Sequence, residues 1–123
     1  KILRVIEYGE FERVGGNKTI RCDVRLVAAT NEDLPTMAQN GKFRADLLDR
    51  LAFDVLTIPP LRHRTDDILV LAEHFAVAMA KEMGRTMFAG FSHRAKAILQ
   101  SYDWPGNVRE LKNTVERAVY RIA

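Results

Sequence analysis

The chain has little that could bind it covalently, anchor it, or bias it toward one kind of partner. It carries a single cysteine, Cys22, so an internal disulfide and a cysteine metal cluster are both excluded. A buried structural thiol in a reducing cytoplasm is the expectation. No apolar run approaches the roughly 18 residues of a membrane span, and nothing reads as a signal peptide. A cytoplasmic protein without membrane insertion is therefore expected. There is no excess of one charge: 19 basic against 16 acidic residues leave a net +3. The signs alternate and no basic run exists, so charge gives no ground for nucleic-acid binding. His63, His74 and His93 have no ligand-like spacing with Cys22 or the carboxylates, and no protein-bound metal is expected.

What remains is the composition of a globular chain, 47% hydrophobic and 28% charged over 123 residues. That suffices for one ordinary core or two small lobes. Lys1-Ile2-Leu3-Arg4-Val5-Ile6 is amphipathic from its first residue without a cap, and Ile122 still falls on an apolar stripe. Both ends are expected to be internal to a longer protein.

The first half alternates predicted helices and strands. Residues 2–8 read as a helix stopped by Gly9. Phe11–Val14 and Thr19–Cys22 read as a hairpin around Gly15-Gly16-Asn17-Lys18. Val24–Ala29 and Phe53–Ile58 are β-rich and mostly apolar, the pattern of buried strands. Between them, Asp33–Asn40 and Phe43–Leu51 read as short helices, the first ended by Gly41. After Pro59-Pro60 no strand pattern recurs. Thr65 is the predicted cap of a helix with Asp66 and Asp67 in its first turn. Its stripe is Ile68, Leu71, Ala72, Phe75, Ala76, Met79 and Met83. Ser92 caps the next, with Ala95, Ile98, Leu99 and Tyr102 inward. The boundary falls near Pro59–Arg64, separating an α/β portion (residues 1–60) from a helical one (residues 61–123).

Residues 104–113, Trp-Pro-Gly-Asn-Val-Arg-Glu-Leu-Lys-Asn, hold a helix stop and a helix start. Proline closes the preceding helix, Gly106 permits the reversal, and Asn107 with Glu110 makes a capping box. Leu111, Val115, Ala118, Val119 and Ile122 form the next core stripe. Arg109 lies off that stripe in the first turn, where the helix dipole disfavours a cation. An anion meeting its guanidinium, or a salt bridge with a nearby carboxylate, would each account for it. Asn31 directly follows a predicted strand, where ligands sit in open α/β sheets, and it also suits a helix cap. Arg44 and Arg50 share a helix whose leucines face inward. Surface ion pairing with Asp46 or Asp49 is one reading of them.

These segments together resemble, in order and over essentially the whole chain, the AAA+ ATPases that activate sigma-54 RNA polymerase, the bacterial enhancer-binding proteins. Residues 104–113 resemble the family's sensor II. Arg4–Gly16 resembles the segment after its Walker B strand, and Ala28-Ala29-Thr30-Asn31 its sensor I. Phe43–Leu51 resembles its arginine-finger helix, and Pro59-Pro60-Leu61-Arg62 the linker to its lid.

The resemblance implies an α/β plus all-α fold: the C-terminal half of a AAA+ P-loop NTPase core, then a helical lid. It implies that Arg44 and Arg50 are fingers reaching the ATP site of the next subunit. Thr30 and Asn31 would serve as sensor I and Arg109 would contact nucleotide from the lid. Arg13, Gly15 and Gly16 would lie beside the loops that engage the sigma factor. The implied cofactors are ATP and Mg²⁺, the latter not held by residues of this chain. The implied partners are further copies in a ring, expected to be hexameric, the sigma-54 RNA polymerase holoenzyme, and enhancer DNA through a domain not in this sequence. A phage-shock-type member would also answer to a separate inhibitor protein.

No Gly-x-x-x-x-Gly-Lys-[Ser/Thr] loop occurs here, nor a Walker B carboxylate pair, nor the family's Gly-Ala-Phe-Thr-Gly-Ala loop. These residues alone are not expected to hydrolyse ATP. Two other classes fit some of the pattern. One is a helix-turn-helix DNA-binding module, with Asn107–Ile122 after a tight turn. The other is a non-catalytic assembly module that docks onto a AAA+ partner.

Overall fold

The computed structural model describes residues 2–122. The chain divides into two compact units, Lys1–Leu56 and Thr57–Ala123. The first mixes short helices with a two-stranded antiparallel sheet, and the second is a helical bundle. This is the α/β-then-helical architecture of a partial AAA+ core with a helical lid.

The first unit is organised around Gly9. Helix α1, Ile2–Tyr8, ends there because Gly9 takes φ +65°. Lys1, where the amphipathic pattern begins, lies outside the described residues. A side chain at Gly9 would also meet the Cys22 carbonyl at 2.8 Å. That close approach lets the Cys22 amide donate to the Gly9 carbonyl at 2.7 Å, and the Cys22 thiol donates to the same oxygen at 3.2 Å. The thiol is half-buried rather than fully buried. Because pairing starts at Gly9, strand β1 runs Glu10–Glu12 and not Phe11–Val14. It pairs with β2, Thr19–Arg21, in the register Phe11 opposite Ile20.

Helix α2, Leu34–Gln39, is capped by Asp33, whose carboxylate accepts from the Thr36 amide at 3.2 Å and the Thr36 hydroxyl at 2.8 Å. Helix α3 spans Ala45–Leu51. It starts two residues later than the sequence suggests because Arg44 is still extended, with ψ 119°.

Two expectations fail in this unit. Residues 24–29 and 53–58 form no strands. Val27 is 81% exposed and Phe53 95% exposed. A strand exists only through hydrogen bonds to a neighbouring strand. Among the described residues nothing pairs with either segment, so β-propensity alone does not make them strands.

The second unit starts with a 3₁₀ turn at Leu61–His63, followed by α4, Thr65–Glu82. Arg64, not Thr65, occupies the cap position, and no side chain caps it. The turn feeds directly into the helix: the Arg64 amide donates to Leu61 and the Asp67 amide to Arg64, both at 3.0 Å. Asp66 and Asp67 still lie in the first turn, where they complement the dipole. Helix α5, His93–Ser101, is capped by Ser92, whose hydroxyl accepts from the Ala95 amide at 3.1 Å. Helix α6 spans Asn107–Arg121, and the Ala123 expected at its end lies outside the described residues.

The core is two facing rows at i, i+4 spacing. Ile68, Ala72, Ala76 and Ala80 of α4 meet Leu111, Val115 and Val119 of α6, with Leu61, Leu99 and Trp104 closing the ends. The alanines let α6 approach closely, so Leu71, Phe75, Met79 and Met83 flank the contact half-buried. Ala118 and Ile122 are exposed, as are Ile98 and Tyr102. The buried row is narrower than the apolar stripe in the sequence, because one neighbour covers one row of a helix.

Between α5 and α6 the chain reverses differently from the expected way. Gly106 has an ordinary φ of −85°. The positive φ values, both 50°, belong to Trp104 and Asn107. Asparagine tolerates this conformation and tryptophan does so with strain. Burial of the indole and its 2.7 Å hydrogen bond to the Leu99 carbonyl offset that strain. Asn107 does not cap α6. Its side-chain oxygen accepts from the Leu61 amide at 3.2 Å, tying the turn to the start of the unit. Glycine is needed at 106 because a Cβ there would lie 2.7 Å from the Glu110 Cβ.

Gly106→Ala therefore overpacks the α6 start. It should destabilise the helical unit by roughly 1–3 kcal/mol, measured as a lower denaturant midpoint. Trp104, the single tryptophan, is the fluorescence reporter. An unchanged midpoint would show that Glu110 moves aside freely.

Candidate functional site

The candidate residues fall in both units. In the first, Thr30 is exposed and directly precedes an exposed bend at Asn31 and Glu32, after the unpaired segment 24–29. The Thr30 hydroxyl accepts from the Glu32 amide at 3.0 Å. Asn31 does not cap α2, since Asp33 does. Among the described residues no hydrogen bond engages the Asn31 side chain, which leaves its amide free.

Arg44 and Arg50 bracket α3. Arg44 turns back on its own helix, with Nε donating to Asp46 Oδ1 at 3.1 Å and Nη2 to Oδ2 at 2.6 Å. This bidentate clasp is the main reason the Asp46 carboxyl lies below its ordinary pKa. Desolvation opposes the shift and the Leu47 amide assists it. The pair therefore stays charged at neutral pH. It is a surface pair, with the Arg44 side chain 69% exposed, and holds the guanidinium only weakly.

Arg50 does not pair with Asp49. Its Nε stands 3.1 Å from Glu7 Oε1, so α1 and α3 are joined through this contact. Glu7 also lines a shallow, open depression with Leu3, Arg4, Tyr8, Glu10 and Arg44. Both arginines are thus brought to one region of the first unit, around Glu7. Local spacing gives no sign of Glu7, which is 43 positions from its partner.

In the second unit, Arg109 sits in the first turn of α6 on the exposed side. Among the described residues it makes no salt bridge, so the carboxylate partner considered from the sequence is not there. Its neighbour Glu110 is engaged elsewhere. Its charge, followed by desolvation, pushes the Tyr102 hydroxyl above its ordinary pKa. Glu110 Oε1 is buried without a hydrogen-bond partner. Two further side chains of this unit were missed from the sequence. Asn107 bonds to Leu61, and Arg85 donates to the carbonyls of Val119, at 3.1 Å, and Ile122 at the end of α6.

Arg13, Gly15 and Gly16 form the hairpin turn, with the Gly16 amide donating to the Arg13 carbonyl at 2.9 Å. Among the described residues, no three His, Cys, Asp or Glu side chains converge where a metal ion could be shared. No helix there is long and apolar enough to cross a membrane.

Comparison with known proteins accounts for nearly the whole length. Residues 1–57 match the Sigma-54 interaction domain family, and residues 62–122 match the AAA+ ATPase lid domain family. The Psp operon transcriptional activator of Escherichia coli is 61% identical over 98% of this chain and 37% of its own length. The alginate biosynthesis transcriptional regulatory protein AlgB of Pseudomonas aeruginosa is 53% identical over 96% of this chain and 26% of its own. Among solved structures, NtrX from Brucella abortus is 41% identical and superposes with a TM-score of 0.89, covering 98% of this chain and 27% of that one. The same protein in complex with ATP gives 0.86. The chain thus spans well under half the length of these relatives. Two consecutive family matches, in the order sigma-54 interaction domain then lid, make the chain a member of the AAA+ sigma-54-dependent transcriptional activators, as the C-terminal part of the AAA+ domain and its lid.

Proposed function

We propose that these residues complete an ATPase site whose phosphate-binding half lies in the rest of the AAA+ domain. Residues 1–60 contribute the last part of the α/β subdomain, with sensor I and the arginine fingers. Residues 61–123 contribute the lid with sensor II. The whole protein hydrolyses ATP with Mg²⁺ in a ring, expected to be a hexamer, and uses that cycle to remodel the closed sigma-54 polymerase promoter complex. Enhancer DNA is held by a domain outside these residues. The similarity to a Psp operon activator favours control by a separate inhibitor protein. These residues alone do not hydrolyse ATP.

The observation that carries this reading is the continuous match of the chain to the two parts of one ATPase module. The local chemistry agrees with it. Asn31 presents a free, neutral amide suited to orienting water or touching a terminal phosphate. Thr30 directly precedes that bend. Arg109 is an exposed cation with no carboxylate partner, at a helix start that disfavours it, and a phosphate would relieve that cost. A lid that contacts the γ-phosphate through Arg109 responds to hydrolysis, because its contacts differ between the two nucleotide states. Arg50, and Arg44 beside it, supply guanidinium groups to the transferring phosphoryl group in the neighbouring subunit.

In the intact protein, Arg50→Ala should lower turnover by roughly 10³–10⁵, the range known for arginine fingers, while ATP still binds. Wild-type turnover per subunit should rise with protein concentration as rings assemble. Concentration-independent turnover that survives the substitution would reduce Arg50 to a surface ion pair. Arg109→Ala should weaken ATP binding by roughly 10–100-fold, the loss of one charge-assisted hydrogen bond. Fluorescent-nucleotide titration measures it, and unaltered affinity would remove Arg109 from the site.

A further inference from the structure

The two candidate fingers are held in different ways. Asp46 takes both Nε and Nη2 of Arg44, a two-point clasp from a carboxylate two residues away in the same segment. The Arg50 guanidinium approaches Glu7 through Nε, 3.1 Å from Oε1, an ion pair without the two-point hydrogen bonding that holds Arg44. A guanidinium carries five N–H donors in one plane. A carboxylate at the Nε edge orients that plane and leaves the terminal pair for a bidentate anion.

We infer that Glu7 is a positioning residue for Arg50. It holds the guanidinium by its near edge and presents the far edge to the phosphoryl group of the neighbouring subunit. This rests on the reading of Arg50 as a finger. Three observations carry it. Glu7 is the more buried member of the pair, its side chain 24% exposed against 58% for Arg50, so the carboxylate is the anchor and the arginine is the reaching group. Glu7 and Arg50 stand on different helices, so the contact sets the position of the finger against α1 as well as its rotamer. The other cations at this end of the unit are accounted for: Arg4 and Arg21 pair with Glu10, at 3.7 and 3.6 Å, leaving Glu7 to Arg50. Arg44 differs because its carboxylate partner, Asp46, stands on its own helix, so that contact does not fix Arg44 against α1.

The test is a double-mutant cycle in the intact protein, read by single-turnover ATP hydrolysis, ATP affinity and ring size by light scattering. Glu7→Ala should slow hydrolysis on the order of 10–100-fold, the cost of a misplaced catalytic group, with KM for ATP and ring size unchanged. Glu7→Asp keeps the charge of the ion pair and should recover part of the rate. In an Arg50→Ala background, Glu7→Ala should cost nothing further. Multiplying effects of the two substitutions, or a rate indifferent to Glu7→Ala, would overturn the inference. If Arg50→Ala collapses turnover while Glu7→Ala does not, only the positioning role falls. If Arg50→Ala itself keeps wild-type turnover, the finger reading falls and takes this inference with it.

Discussion

The helical unit depends on how closely α6 packs onto α4. Four small or branched residues of α4, Ile68, Ala72, Ala76 and Ala80, leave a shallow groove that Leu111, Val115 and Val119 fill. Close approach of two helices requires that the chain entering α6 arrive at the right place and angle. Trp104 provides this. Its indole is buried, hydrogen-bonded to the last turn of α5, and set edge-on against Tyr102 at 4.8 Å. Held in a left-handed conformation, it turns the chain so that Pro105 and Gly106 lead into α6. Asn107 then fastens the turn to Leu61. At the other end, Arg85 clasps the last carbonyls of α6. Both ends of this helix are therefore tied to other parts of the same unit.

That anchoring also fixes the position of Arg109 at the start of α6. A cation in the first turn of a helix is disfavoured unless an anion offsets it. Among the described residues no carboxylate makes a salt bridge to Arg109. On the proposed role of Arg109, a contact with phosphate would be passed to α6 as a whole, because a tightly packed α4–α6 interface does not deform gradually. A loose surface helix would absorb the same contact locally.

The first unit has a different character. Its helices have no fully buried residues, and its apolar segments 24–29 and 53–58 lie open. Half-buried apolar side chains such as Ile6, Leu47 and Leu51 are joined there by polar contacts: the Gly9–Cys22 pair of bonds, the Asp33 cap and the ion pair of Glu7 with Arg50. The DNA-binding alternative finds no support in the second unit. Lys112 faces Glu116 at 3.9 Å, and residues 62–122 match a lid family.

Much of this was legible in the residues themselves, wherever a local rule decides. Ser92 caps α5 because a hydroxyl reaches an amide three residues on. Gly9 and Gly41 end helices because they alone take positive φ cheaply. The i, i+4 rows of α4 and α6 appear in the sequence because helical geometry is periodic. Motif order over the whole chain was enough to indicate the family. Tertiary structure decided everything that needs a distant partner. The β-rich segments 24–29 and 53–58 stay unpaired because strand propensity is realised only against another strand. Asn107 bonds Leu61 instead of capping α6, and Gly106 is required by Glu110 rather than by its own φ. Arg50 finds Glu7 and not Asp49, since a guanidinium pairs with the carboxylate that folding brings within reach, whatever stands beside it in the chain.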